Sequence, residues 1–414
     1  MTTNFRNNAI DLNTIFAAYS SGAKASATGF LSKGTDLNQL FQPYVSGTKA
    51  SATNMLVNGN DLCNIFSKYV AVSRAWYTFG TGTGGLVRGI GADGNGNFYV
   101  GGDSIYSING VTTTYNNGSG GLGKVTGYDV NTVVSTAFAQ GCTDSPYWVM
   151  CDSSGNVYSV GWFGSIGPNL NATTGQVTGT GAMIAKWNGS AWSALPNSTA
   201  GTNGHMEKVV INKTNRNIFY VGGNITQVYY NSTTTGVSNF AMWNGTAWSG
   251  LGFSTGNLIT RFDVDSAGII YVIDGSVIRT YNGTAWSNLT TKNSSNGTVI
   301  SGTISDLFVD KNDDLWAVGS FNVAKYSKTS GFWTAITSPG FSPICVYGDD
   351  IYIYVASASQ LTYYNTSTTT WSSNLITSIT GSITNLVAVN NKVYIGGSFT
   401  AVNGISANHL ATYQ

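Results

Sequence analysis

The sequence predicts an all-β fold in which one four-stranded unit is used seven times, behind a short region built on another repeat. Three observations predict it. The fullest copy spans residues 206–251. It holds an apolar stretch (209–211), a polar turn, a second apolar stretch closing on Gly222-Gly223, a polar connection, and a final segment from Phe240 through Trp243, Asn244, Gly245 and Trp248. The second apolar stretch returns at 97–102, 156–161, 217–223, 269–273, 314–319, 350–354 and 392–397, which makes seven. A tryptophan marks the fourth stretch six times, at Trp76, Trp192, Trp248, Trp286, Trp333 and Trp371, with Val133-Val134 in its place in the remaining copy. Four antiparallel strands repeated at such spacing are the signature of a β-propeller blade.

Each element of the unit has its own reason. The first strands (87–92, 148–152, 209–211, 262–265, 307–310, 344–347, 386–389) are nearly continuous apolar runs, as suits strands buried on both faces near an axis. Asn188-Gly189, Asn244-Gly245 and Asn282-Gly283 separate third and fourth strands, and such a pair favours a two-residue hairpin. These asparagines also open Asn-x-Ser/Thr sequons, but the turn explains them. The tryptophans keep one place in the repeat, so we expect them to pack between blades. Connections between second and third strands are long at 103–123, 163–181 and 224–238 and tight in copies four to six. Long loops on one rim are where a binding surface is expected, and Tyr115, Tyr229 and Tyr230 are its candidate contacts.

Trp76 precedes the first inner strand, so its own unit lacks three strands. The chain's last segment, from His409 to Gln414, reads as a third strand with no fourth after it. Setting residues 75–79 beside it completes a seventh blade and removes two exposed sheet edges. The expected division is 1–73, a repeat adaptor, and 74–414, a seven-bladed propeller.

Residues 1–73 carry Asp-Leu-Asn-x-Ile/Leu-Phe motifs from Asp11 and Asp36, with a variant from Asp61, at a 25-residue period. Apolar residues at i, i+3, i+4 and i+7 predict short helices, each with an N-capping aspartate. The stripe includes Leu12, Phe16, Leu37, Phe41, Leu62 and Phe66. Helices this short are marginal alone. Their stripes are expected to dock on the ring, on copies of themselves or on another protein; a self-contained small domain is the alternative.

Charged residues make up 9% of the chain and the net charge is +1. That argues against nucleic acid, which requires a basic face. No apolar run is long enough to span a bilayer, and the N-terminus has no signal-peptide core. Cys63, Cys142, Cys151 and Cys345 are too scattered for a disulfide framework; a Cys142–Cys151 pair and four reduced thiols both remain open.

No catalytic, cofactor or metal constellation is expected. His205 and His409 lie in different copies without a metal-ligand neighbourhood. The turns from Asp93 and Asp310 resemble the alternate oxygen ligands of a calcium loop but lack its closing glutamate, and turn formation is the competing explanation.

The repeat resembles kelch-like and WD-like propellers. The segment 396–413, together with 184–192, resembles repeats of large DNA viruses of protists and algae and of some bacterial surface proteins; the Asp-Leu-Asn motifs resemble short modules of such viruses' structural proteins. The double glycine of the kelch pattern is missing from copies two, four, five and six. The resemblance implies a non-enzymatic virion structural or surface protein, made in the host cytoplasm. Its expected partners are capsid or other virion proteins and a host-surface protein or glycan, with homo-oligomerisation through 1–73. A carbohydrate-binding ring is the alternative, and a hydrolase or lyase using Asp103 or Asp144 is a third reading.

Overall fold

Short apolar runs fold as strands throughout, and no helix occurs among the described residues. The structure, a computed structural model, describes residues 6–7, 10–11, 31–32, 35–36, 56–57, 60–61, 74–92, 97–105, 107–108, 111–112, 120–126, 134–137, 144–152, 154–163, 183–187, 189, 192–194, 204–230, 233–349, 351–389 and 392–414. The chain divides into two units, Met1–Ala75 and Trp76–Gln414.

In the first unit each repeat contains a minimal antiparallel pair: Arg6–Asn7 with Ile10–Asp11, Leu31–Ser32 with Thr35–Asp36, and Leu56–Val57 with Asn60–Asp61. Asp11, Asp36 and Asp61, expected as helix caps, end these pairs. The expected helical stripes, with Leu12, Phe16, Leu37, Phe41, Leu62 and Phe66, lie outside the described residues.

The second unit contains seven four-stranded antiparallel sheets among the described residues. Sheet one is Leu86–Ala92, Asn97–Asp103, Gly120–Thr126 and Val134–Ala137. Sheet two is Ser145–Cys151, Val157–Trp162, Ile184–Trp187 and Trp192–Ala194. Sheet three is His205–Ile211, Phe219–Asn224, Phe240–Trp243 and Trp248–Ser249. Sheet four is Phe262–Val264, Ile270–Asp274, Val277–Tyr281 and Trp286–Asn288. Sheet five is Ile304–Val309, Leu315–Gly319, Asn322–Ser327 and Phe332–Ile336. Sheet six is Cys345–Gly348, Tyr352–Ala356, Leu361–Asn365 and Thr370–Trp371. Sheet seven joins Ile383–Val389, Lys392–Gly397 and Leu410–Tyr413 to Trp76–Thr78 from the other end of the chain, with Tyr413 opposite Trp76.

First strands touch in order around the unit, and the seventh returns to the first. The core is distributed accordingly. Each pair of neighbouring sheets encloses its own apolar cluster, such as Val210, Phe240, Phe262 and Val272 between sheets three and four. Trp76, Trp248, Trp286, Trp333 and Trp371 belong to these interfaces. Trp333 of sheet five, 1% exposed, packs with Tyr271 and Ile278 of sheet four. Its indole N–H donates to Thr290 O at 2.7 Å. Trp286, Trp371 and Trp76 make the same bond backwards, to the carbonyls of Leu251, Thr337 and Leu375. One large ring plus one hydrogen bond therefore fastens each of these sheets to its predecessor.

Two local expectations change. Trp243 pairs with Trp248, so the Asn-Gly turn is a four-residue loop, not a two-residue hairpin. Gly245 alone of the pair has positive φ, +99°. Asn244 Oδ1 instead accepts the N–H groups of Thr246 and Ala247, a side-chain mimic of a backbone turn. The built-up rim also extends beyond copies one to three. Beside sheet seven, Ala401–Val402 and Ile405–Ser406, from between its second and third strands, form a three-stranded sheet with Ile379–Thr380, which precedes its first strand.

Candidate functional site

Five of the seven first strands share an irregularity. Their register with the second strand shifts between Val87 and Gly89, Pro146 and Trp148, Met206 and Lys208, Ile304 and Asp306, and Ile383 and Asn385. Each is a bulge in which one extra residue, Arg88, Tyr147, Glu207, Ser305 or Thr384, leaves the ladder. A bulge re-aims side chains. After four of the bulged residues the next residue, Trp148, Lys208, Asp306 or Asn385, lines the axial cavity.

The bulged residues of sheets one to three join one cluster. The Arg88 guanidinium lies 4.8 Å from the centre of the Tyr147 ring and pairs with Asp103 at 2.6 Å. Tyr147 meets the His205 ring edge-on at 5.7 Å. His205 Nε2 sits 3.0 Å from Glu207. Trp162, at the end of sheet two's second strand, packs tilted against His205 at 5.5 Å and is 47% exposed. Burial, against the opposing pull of Arg88, raises the Tyr147 phenol above its ordinary value, so it stays a neutral donor.

The residues beside the bulges line an axial cavity of about 120 Å³. Its walls include Trp148, Lys208, Arg261, Asp306, Cys345 and Asn385, the same position in six successive sheets. Most of these polar groups clasp the next sheet. Asp306 Oδ2 accepts Val346 N–H, Asn385 Nδ2 donates to Arg88 O, and Cys345 Sγ lies 3.4 Å from Thr384 O. Burial pushes the Cys345 thiol up to about 12, which leaves it protonated and unreactive at neutral pH.

The expected contact residues are placed as follows. Tyr229 and Tyr230 lie on Gln227–Tyr230, which pairs with Thr233–Gly236 as a hairpin. Tyr230 packs edge-on against Trp243 at 4.8 Å, and the Tyr229 hydroxyl donates to Gln227. Tyr115 and Cys142 lie outside the described residues. Asp103 is paired with Arg88, and Asp144 Oδ1 accepts Ser145 N–H at 2.8 Å; the two sit in separate structural roles. His409 Nδ1 is 3.1 Å from Gly397 O.

The turn aspartates behave as backbone mimics. Asp152, Asp265 and Asp310 each accept two amides of their own turn, and Asp310 also accepts Trp316 Nε1 at 2.9 Å. In the segment resembling a calcium loop the carboxylates diverge. Asp313 accepts from Ser266, and Asp314 pairs with Lys325 at 2.7 Å. Among the described residues no group of three or more metal-ligating side chains converges. Asp93 lies outside them.

Neither the bulged cluster nor the cavity lining was among the expected site residues. A signal was present: Lys208, Asp306 and Asn385 each stand directly before an apolar run at one repeat position.

No family model matches the chain, and no curated protein matches it. Solved structures do. One is YCF48 bound to D1 peptide, 11% identical, covering 82% of this chain and 94% of that one with a TM-score of 0.52. The RRP9 WD40 repeats are 9% identical, covering 82% and 96% with a TM-score of 0.52. U3-55K is 9% identical, covering 82% and 98% with a TM-score of 0.53. The fold is a WD-like β-propeller. At such identities the likeness carries the architecture alone. The propeller's cavity is lined by its first strands.

Proposed function

We propose that this chain is a non-enzymatic, seven-bladed propeller that binds a protein partner across the Arg88–Tyr147–Trp162–His205–Glu207 surface. The single observation that carries this reading is the set of aligned bulges. They bring Arg88 and Tyr147 beside a half-exposed Trp162, and Trp, Tyr and Arg are the residues that dominate binding energy at protein interfaces. The likeness to YCF48, whose structure holds a D1 peptide, supports a peptide or protein as the ligand class.

The non-enzymatic part rests on chemistry. The Cys345 thiol is a poor nucleophile, His409 faces a backbone carbonyl, and Asp103 and Asp144 are held by separate partners. The wider setting we propose is a virion structural or surface protein, with residues 1–73 anchoring or oligomerising it. The repeat motifs support that setting.

The test is site-specific photo-crosslinking from position 162 during particle production, with quantitative mass spectrometry of purified particles. The expected result is stoichiometric incorporation, a single dominant cross-linked protein, and at least tenfold less cross-linking when Tyr147→Ala is added. Absence from particles sinks the virion setting. A surface that cross-links nothing but binds a glycan array, with binding lost in Trp162→Ala, replaces the protein partner with a carbohydrate.

A further inference from the structure

We infer that the partner of the Arg88–Tyr147–Trp162–His205–Glu207 surface lays a basic side chain, an arginine or a lysine, on the open ring of Trp162. This rests on the protein-binding reading above and names the chemistry of that partner. Trp243, Trp248 and Trp333 bury their rings between sheets and are 7% exposed or less, whereas Trp162 is 47% exposed. One contact of its ring is the tilted one with His205 at 5.5 Å. The face of an indole is electron-rich and attracts a cation.

The charge around this ring is negative. Four ionised side chains act on the Tyr147 phenol within the cluster: Arg88, Glu207, Asp103 and Asp144. Three of them are carboxylates, and the one cation is engaged. Arg88 donates from Nε and pairs through Nη2, both to Asp103 Oδ2 at 2.6 Å. Glu207 faces His205 at 3.0 Å, and the excess stays negative whether or not His205 carries a proton. Asp144 directly precedes Ser145, which pairs with Trp162, so it belongs to the same strand end as the open ring.

The other cations of sheets one to three do not cancel this excess. Lys124 and Lys186 lie over the Tyr99 and Tyr158 rings, each on the neighbouring strand of its own sheet. Lys208 follows Glu207 in the chain but lines the cavity, where Asp306 and Asp263 act on it. Lys213 and Arg216 come after the far end of the strand His205–Ile211. An acidic partner would meet three carboxylates and a guanidinium already paired. A basic side chain is the complement: its aliphatic stem covers the ring, its charge lies over the π face, and the carboxylates favour its approach.

The experiment uses the full chain, labelled with ¹⁵N in its tryptophan indoles, and acetyl-tetra-arginine amide as the probe. Peptides of the same length made of citrulline, which keeps the shape without the charge, and of glutamate are the controls. The Trp162 indole N–H signal is expected to shift saturably with the arginine peptide and to stay in place with the other two. Glu207→Gln combined with Asp144→Asn is expected to weaken the arginine peptide about threefold or more. Should that double variant fail to fold, the citrulline comparison on the unmodified protein decides. An unmoved Trp162 signal, an equal response to citrulline or glutamate, or an undiminished response in a folded double variant overturns the inference. The segment cross-linked from position 162 separates this inference from the reading it rests on. A basic segment supports both; a single dominant protein attached through an acidic or uncharged segment overturns this inference alone; no cross-linked protein overturns both.

Discussion

At the residue scale, the same physics gives two side chains opposite meanings. Trp333 is buried with its one polar atom matched to Thr290 O, so it is a fastener. Lys208 is buried, and the desolvation of its charge outweighs the attraction of Asp306 and Asp263, so it weakens the fold that holds it. That weakness has a pH signature. The folded-state pKa of Lys208 lies below its ordinary 10.5, so the unfolded chain binds the proton more tightly. The penalty is complete below the folded pKa and vanishes as pH rises to 10.5. Lys208→Met is therefore expected to be more stable than the parent near pH 7, with an advantage that shrinks toward pH 10. Urea unfolding at the two values checks it; a difference that grows with pH contradicts it.

At the scale of the element, one glycine and one bulge come as a pair. Gly102, Gly161, Gly223, Gly319 and Gly397 pair with the residue just before each bulge. A Cβ at Gly223 would lie 2.1 Å from His205 O, and one at Gly102 1.9 Å from Leu86 O. Where no register shift occurs, in the first-strand pairings of sheets four and six, the position holds Asp274 and Ser357. This explains why the double glycine is incomplete: only its second member faces a carbonyl across a bulge. Gly223→Ala is expected to cost about 2 kcal/mol or more in urea unfolding, through a clash with backbone that cannot move aside. Ser357→Gly is expected to cost no more than about 1 kcal/mol. The bulges also explain why the first strands begin earlier than apolar runs alone suggest. Strand three starts at His205 rather than Val209, because the extra residue breaks the alternation and brings polar groups into the strand.

At the scale of the molecule, Trp76–Thr78 completes sheet seven. Without it the third strand Leu410–Tyr413 presents a bare edge, and the Trp76 bond to Leu375 O is lost. A chain starting at residue 74 is expected to melt close to the full-length protein. A chain starting at residue 83 is expected to melt well below it and to aggregate. Calorimetry with light scattering on the two truncations decides; equal melting rejects the edge as a determinant of stability.

The sequence by itself determined the unit, the place of the fourth-strand tryptophans and the pairing of the two chain ends. Each is written in local periodicity: alternating apolar residues, a recurring Trp, and a third strand lacking a fourth. The turn aspartates were legible for the same reason, since Asp310 and its acceptor amides are near neighbours in sequence. Only the tertiary structure decided the site. Arg88, Tyr147, Trp162 and His205 come from three sheets, and bulges re-aim Arg88 and Tyr147 toward the others. The buried state of Lys208 is likewise a matter of what surrounds it: the attraction that partly offsets its desolvation comes from Asp263 and Asp306, more than fifty positions away in the chain. Periodicity fixes which face a side chain takes; charge compensation depends on every strand that reaches the axis.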